Sequence, residues 1–116
     1  MKIYGIKNCD TVKKTLKFFD QKGVSYDFVD FKTTPPSCEQ VRKWADAVGV
    51  KKLFNTRSTT YRNLKLKEQN LDDAAKIEWM CKEPLLIKRA VVQSDDTIVV
   101  GYDENALNKL IEGESK

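Results

Sequence analysis

The chain has 116 residues, which is the size of one ordinary domain built around a single core. Its 41% hydrophobic and 33% charged residues exclude a disordered protein, and the excess of 21 basic over 17 acidic residues is too small to indicate nucleic-acid binding by itself. The chain contains no histidine, which excludes Ser-His and Cys-His nucleophile pairs and the usual histidine metal sites.

The first third of the chain predicts a strand, a helix and a second strand. Residues 2–6 alternate and are rich in β-formers, and Gly5 among them indicates a close approach of the backbone to another part of the chain. From Thr11 onward, apolar residues recur at helical spacing until the helix ends near Gly23. Residues 24–31 alternate between apolar and polar, so they predict a second strand, and a right-handed crossover makes it parallel to the first.

The middle of the chain predicts mainly helices. Two prolines end the preceding segment, and a helix is expected over about 37–48. Residues 49–70 are polar with weak periodicity, which is typical of loop or short helical turns. A further helix is expected over 71–81, capped by Asn70 or Asp72.

The last quarter predicts two strands and a helix. Residues 90–93 and 97–100 flank Ser94-Asp95-Asp96, a polar connection of hairpin length, so the two strands should be antiparallel. A last helix is expected to open at Asp103 or Glu104. Any disorder is expected only in the last four residues.

The order of the elements predicts the fold class. Strand-helix-strand, then helices, then two strands and a helix is an α/β arrangement with a mixed four-stranded sheet. It matches a thioredoxin-like core with a helical insertion at about 37–85, and the whole chain, 1–116, is expected to form a single domain.

No targeting or membrane segment is evident. The first ten residues, MKIYGIKNCD, contain charged and polar residues before a signal-peptide core could form, and nowhere do about 18 apolar residues run together. We therefore expect a cytoplasmic protein that does not bind membranes.

Cys9 lies where the first predicted strand gives way to the first helix. Unpaired N–H groups and the positive end of the helix dipole stabilise a thiolate there, which can bring a thiol pKa from about 8.5 towards neutrality. Lys7, Lys13 and Lys14 add positive charge, and Asp10 opposes it. This placement favours a reactive cysteine over a buried, inert one.

The other cysteines are expected to be unremarkable. Cys9, Cys38 and Cys81 are odd in number and widely spaced, which argues against a disulfide scaffold and against a zinc site, so reduced thiols are expected. Position 12 is Val12, so a Cys-x-x-Cys dithiol is impossible. Resolution of a mixed disulfide on Cys9 would need glutathione, glutaredoxin or a distant cysteine. Cys38 is a better candidate than Cys81 for that cysteine, although ordinary structural thiols are favoured at both positions.

Three blocks of sequence occur in order along the chain: YGIKNCDTVKKTL, NTRSTTYR, and LLIKRAVV followed by VVGYDENAL. Together they resemble the arsenate-reductase-like (ArsC) family, in particular its short YffB/Spx-type members, over nearly the whole chain. The resemblance implies a thioredoxin-like fold with a helical insertion, in agreement with the order of the elements.

The resemblance also implies a site. The family's reactive cysteine falls on Cys9, and its oxyanion-binding arginines fall on Arg57 and Arg89, which the residues alone would present as solvated surface charges. Guanidinium groups bind arsenate, a sulfonate-like group or a glutathione carboxylate through paired, charge-assisted hydrogen bonds. The implied substrate-binding residues of the loop are Asn8, Thr11 and Lys13.

Three departures from the family pattern stand out. The third arginine of true arsenate reductases is missing from the segment 99–102, so arsenate is a doubtful physiological substrate. Ala90 follows the second arginine where the family usually has a cis-proline, and since a cis bond without proline costs about 2.5–4 kcal/mol, the bond is expected to be trans or unusually strained. Gly5 and Ile6 stand near the place of a histidine found in some members.

The implied activity is that of a thiol/oxyanion reductase that uses glutathione. The Cys9 thiolate would attack an oxyanion or a disulfide, Arg57 and Arg89 would hold negative charge, and glutathione or glutaredoxin would resolve the intermediate. No tightly bound cofactor and no metal are expected.

The alternative hypothesis is an Spx-like regulator that binds RNA polymerase. Such regulators share TRS and VGYDEN with this chain but normally carry Cys-x-x-Cys. Direct nucleic-acid binding through KKLFNTRSTTYR is disfavoured because interleaved aromatic residues are lacking.

Overall fold

A computed structural model describes residues 1–94 and 97–114. The predicted turn residues Asp95 and Asp96, and the end of the tail at 115 and 116, lie outside the described residues. None of the described helices is both long and apolar enough to cross a membrane.

Four strands form one mixed sheet in the order β2-β1-β3-β4. The β1 and β2 strands are parallel, whereas β1 pairs with β3 and β3 with β4 in antiparallel fashion. The parallel opening unit, the antiparallel final pair and the mixed four-stranded sheet are therefore confirmed. The strands are β1 Lys2–Gly5, β2 Asp27–Asp30, β3 Val91–Ser94 and β4 Thr97–Val100.

Six α-helices occur in the described part of the chain, and two short 3₁₀ helices accompany them. Side-chain caps mark the starts of α2 and α5: the Ser37 hydroxyl accepts the Gln40 N–H at 3.1 Å, and Asp72, rather than Asn70, accepts the Ala75 N–H at 2.8 Å. The helices are α1 Asp10–Lys22, α2 Cys38–Val48, α3 Val50–Leu53, α4 Thr59–Asn63, α5 Asp73–Lys82 and α6 Glu104–Glu114, with 3₁₀ helices at Leu66–Gln69 and Pro84–Leu86.

The chain divides into two compact units. The sheet unit contains Met1–Thr34 and Arg89–Lys116, and the helical unit contains Pro35–Lys88. The helical unit covers the stretch in which the insertion at about 37–85 was expected. That the two units form one domain stays a prediction.

The sheet unit has its own apolar core. α1 lies very close to β1, because a Cβ on Gly5 would be only 2.6 Å from Cγ2 of Val12, so the predicted close approach at Gly5 is confirmed. The fully buried members of this core come from β1, α1, β3, α6 and the residue directly before β3. They are Ile3, Val12, Phe19, Ala90, Val92 and Leu107.

The helical unit buries Trp44, Leu53, Met80 and Leu86 completely. Its segment 49–70 forms two short helices and one 3₁₀ helix, which confirms the expected short helical turns.

The prediction that Cys38 and Cys81 are reduced thiols is wrong, because the two form a disulfide. The packing of the helical unit places their Cα atoms 4.9 Å apart although 43 positions separate them in the sequence. An odd cysteine count with wide spacing carries no information about such a contact. Cys9 is the free cysteine, and in this state Cys38 has no thiol with which to resolve a mixed disulfide.

Candidate functional site

Cys9 is the N-cap residue of α1, which confirms its predicted place between strand and helix. Its backbone is extended, with φ −111° and ψ 124°, and its carbonyl accepts the N–H of Lys13 at 2.9 Å as the helix begins. Its side chain is half-buried, so part of it is exposed to solvent. The sulfur therefore stays available to a reactant.

The surroundings of Cys9 favour its thiolate. Burial by itself raises the pKa of the thiol, but the backbone N–H of Val12, the hydrogen bond and positive charge of Arg89, and the N–H of Thr11 together outweigh burial, so the pKa lies below its ordinary value. The amides act as dipoles directed at the sulfur, as expected at a helix N-terminus.

The topology of the sheet explains why Arg89 reaches Cys9. The antiparallel register pairs Tyr4 with Val91, so the end of β1 lies beside the beginning of β3. Cys9 follows β1 and Arg89 precedes β3, and their side chains therefore meet at the same edge of the sheet. The guanidinium forms a hydrogen bond with the sulfur, and the Nε atom is shielded from solvent.

The residue after Arg89 is buried and hydrogen-bonded through its backbone. The Arg89–Ala90 peptide bond is cis, although no proline is present. Ala90 is fully buried, and its carbonyl accepts the N–H of Gly101 at 2.8 Å. Gly101 has φ +83°, a conformation that favours glycine. Gly101 was not among the residues predicted for the site, although a glycine directly after a β-rich run was a signal present in the sequence.

The loop residues implied by the resemblance lie around the start of α1. Asn8 is exposed. The backbone carbonyl of Thr11 accepts a hydrogen bond from the Thr15 hydroxyl at 2.8 Å. An open hollow of about 520 Å³ lies on the exposed side of α1. Because its lining has three ammonium groups and one carboxylate, the hollow favours anions. The lining residues are Asp10, Thr11, Lys13, Lys14 and Lys17.

Arg57 is exposed and belongs to the helical unit. The side-chain carbonyl of Asn55 accepts the N–H of Arg57 at 3.0 Å, and the Ser58 hydroxyl accepts the Tyr61 N–H at 3.0 Å as the cap of α4. The polar residues of NTRSTTYR thus build the turn that presents Arg57. The approach of Arg57 to Cys9 stays a prediction.

A half-buried thiolate beside a guanidinium can attack an electrophilic centre that carries negative charge, because the arginine attracts the anion to the nucleophile. Among the described residues, no group of three or more histidine, cysteine or acidic side chains could hold a metal ion.

The sequence pattern that defines the ArsC family matches residues 4–110. A solved structure of a protein named YFFB superimposes with a TM-score of 0.87 at 35% identity, covering 94% of this chain and 96% of that one. An arsenate reductase of Escherichia coli is 29% identical over 92 residues, which are 78% of this chain and 65% of that protein. The regulatory protein MgsR of Bacillus subtilis is 22% identical over 109 residues, 92% of this chain and 86% of that protein.

Proposed function

Because this chain belongs to the ArsC family, we propose that it is a thiol-dependent reductase with Cys9 as its nucleophile. The observation that carries this proposal is the placement of Arg89 against a sulfur at the N-terminus of α1, where the pKa of the thiol is lowered. Similarity to an arsenate reductase adds support.

With a disulfide as substrate, the proposed reaction is two exchanges. The Cys9 thiolate attacks one sulfur, a bond forms between Cys9 and that sulfur, and the other sulfur leaves as a thiolate. A glutathione thiolate then attacks the substrate-derived sulfur and releases Cys9 as a thiolate again. Arg89 stabilises negative charge on Cys9 before the first step and after the second.

With an oxyanion, Cys9 bonds to the central atom and a hydroxide or water leaves. A glutathione thiolate attacks the sulfur of Cys9, the electron pair of the bond to the central atom stays on that atom, and the reduced oxyanion departs. The product on the protein is a disulfide between Cys9 and glutathione, which a second glutathione or a glutaredoxin reduces. Arg57 is assigned a supporting role in binding the anion.

The substrate is proposed to differ from arsenate. The segment 99–102, in which true arsenate reductases carry a further arginine, contains the end of β4, where Val99 and Val100 are buried, and then Gly101 in its left-handed turn. A site with fewer guanidiniums should select a less highly charged group, such as a disulfide, a sulfenate or a monoanion. Glutathione is proposed as a co-substrate, without any tightly bound cofactor.

The proposal is tested by glutathionylation. Oxidised glutathione, incubated with the protein, should add one glutathionyl group at Cys9, located by mass spectrometry of peptides. Cys9→Ser should abolish it, and Cys38→Ser with Cys81→Ser, which leaves Cys9 intact, serves as the matched control. Added reduced glutathione should release the group. Modification that persists in Cys9→Ser, or none at all, would contradict the assignment of the nucleophile.

The similarity to the regulatory protein MgsR favours a second candidate, a regulator. The resemblance to Spx-like proteins makes RNA polymerase its proposed partner. The residue at position 12 argues against a regulator of this kind. Where a Cys-x-x-Cys pair has its second cysteine, this chain has Val12, which is fully buried against β1 and has no sulfur. The KKLFNTRSTTYR segment also offers little to nucleic acid, because Phe54 is buried and packs edge-on against Tyr61 at 5.8 Å. Binding to the RNA polymerase α subunit that survives Cys9→Ser would support the regulator.

A further inference from the structure

The disulfide between Cys38 and Cys81 joins the first residue of α2 to the last turn of α5. Both cysteines are half-buried, so the bond is neither sealed in the core nor fully exposed. In α5, which is described throughout, Met80 is the one buried residue. A helix with so little buried apolar surface depends strongly on other links to its neighbours.

α5 is in turn connected to the segment that carries Arg57. The ammonium of Lys76 lies 5.8 Å from the centre of the Phe54 ring, and that ring packs against Tyr61 in α4. The N–H of Asn55 also donates at 2.8 Å to the carbonyl of Leu86, in the 3₁₀ helix that follows α5. Loosening of α5 therefore weakens contacts on both sides of Arg57, all within the helical unit.

We propose that the Cys38–Cys81 bond is a second thiol–disulfide exchange site, opened by a dithiol, and that its opening loosens α5 and the Arg57 segment. A thiolate of the dithiol attacks one sulfur of the pair, the bond between Cys38 and Cys81 breaks, and the other cysteine leaves as a thiolate. The second thiol of the reagent then closes its own disulfide and releases the first cysteine. Two electrons and two protons pass from the dithiol to the cysteine pair.

This exchange does not require Cys9 to be catalytic, so it is tested in a Cys9→Ser background. Its effect on turnover, through Arg57, rests on the proposed function.

The first experiment follows the bond itself. Cys9→Ser protein, treated with oxidised dithiothreitol and then with increasing reduced dithiothreitol, is quenched with an alkylating agent and analysed by mass spectrometry. The two cysteines should be protected from alkylation together and become alkylated together. Two freely alkylated cysteines after oxidation would overturn the proposal.

The second experiment follows the consequence. Reduction should lower the midpoint of thermal unfolding by roughly 10 °C, because a cross-link over 43 positions restricts the unfolded chain substantially. Hydrogen exchange should accelerate severalfold more in α5 and residues 54–63 than in β1 and β3. Protein lacking all three cysteines, with serine at each, controls for effects of the reductant. An unchanged midpoint with uniform exchange would overturn the proposed loosening.

Discussion

Cys9 experiences opposing influences on its pKa: burial raises it, whereas the Val12 amide and the Arg89 guanidinium lower it. The position at the helix N-terminus could be predicted from the residues, since a strand, a polar turn and a helical pattern follow each other there. The arginine could not, because 80 positions of chain separate it from the cysteine in the sequence. It was the resemblance that identified Arg89, and the antiparallel pairing of β1 and β3 supplies the physical reason.

Replacing Arg89 with Met removes both its hydrogen bond and its charge from the sulfur. The thiolate loses a stabilising partner, so the pKa of Cys9 should rise and its alkylation profile should move to higher pH. At pH 7 the alkylation rate should fall roughly three- to tenfold. Arg89→Lys keeps the charge without the planar fork and should give an intermediate rate. The measurement is the iodoacetamide reaction rate between pH 5 and 10.

The bonded cysteines do not react with the alkylating agent, so the profile reports on Cys9 alone as long as reductant is absent. Circular dichroism of each variant checks that it is folded. If both variants reproduced the original profile, Arg89 would have no part in stabilising the thiolate.

At the scale of elements, the position of α1 depends on the missing side chain of Gly5. A Cβ there would lie 2.6 Å from Cγ2 of Val12, a fully buried residue with a stiff, branched side chain. Gly5→Ala should therefore displace the first turn of α1 and cost about 1–3 kcal/mol of unfolding free energy. Urea unfolding measures the change, and the alkylation profile of Cys9 should move with it.

The matched test of this contact is a double-mutant cycle with Val12→Ala. Removing the two methyl groups makes room for a Cβ at position 5, so Gly5→Ala should cost at least about 1 kcal/mol less in the Val12→Ala protein. Additive costs would mean that the strain arises somewhere other than in this contact.

The elements differ in how well the sequence determines them. The strands and α1 show a regular apolar period, and they could be predicted within a few residues. The turns of 49–70 could not be predicted in detail, because their boundaries depend on polar contacts such as those of Asn55 and Ser58 and not on periodicity. Cys38 and Cys81 were wrongly predicted to be reduced thiols, because their bond depends on how α2 packs against α5, which no local pattern encodes.

At the scale of the whole molecule, the sheet unit is assembled from the two ends of the chain, and the helical unit is the continuous segment between them. Each unit contains about 60 residues or fewer, a size at which a core is only marginally stable by itself. The chain was predicted to form one domain. If that prediction is right, the two units should unfold together.

Leu107→Ala tests this dependence, because Leu107 is fully buried in the core of the sheet unit. The substitution should cost about 2–5 kcal/mol. If the chain unfolds as one cooperative domain, the slowest-exchanging amides of α2 should lose as much protection as those of β3, since both then exchange through global unfolding. Lys109→Ala, at an exposed position of α6, should change stability by less than about 0.5 kcal/mol and serves as the control. Native-state hydrogen exchange measures both, and a loss of protection confined to the sheet unit would mean that the two units unfold independently.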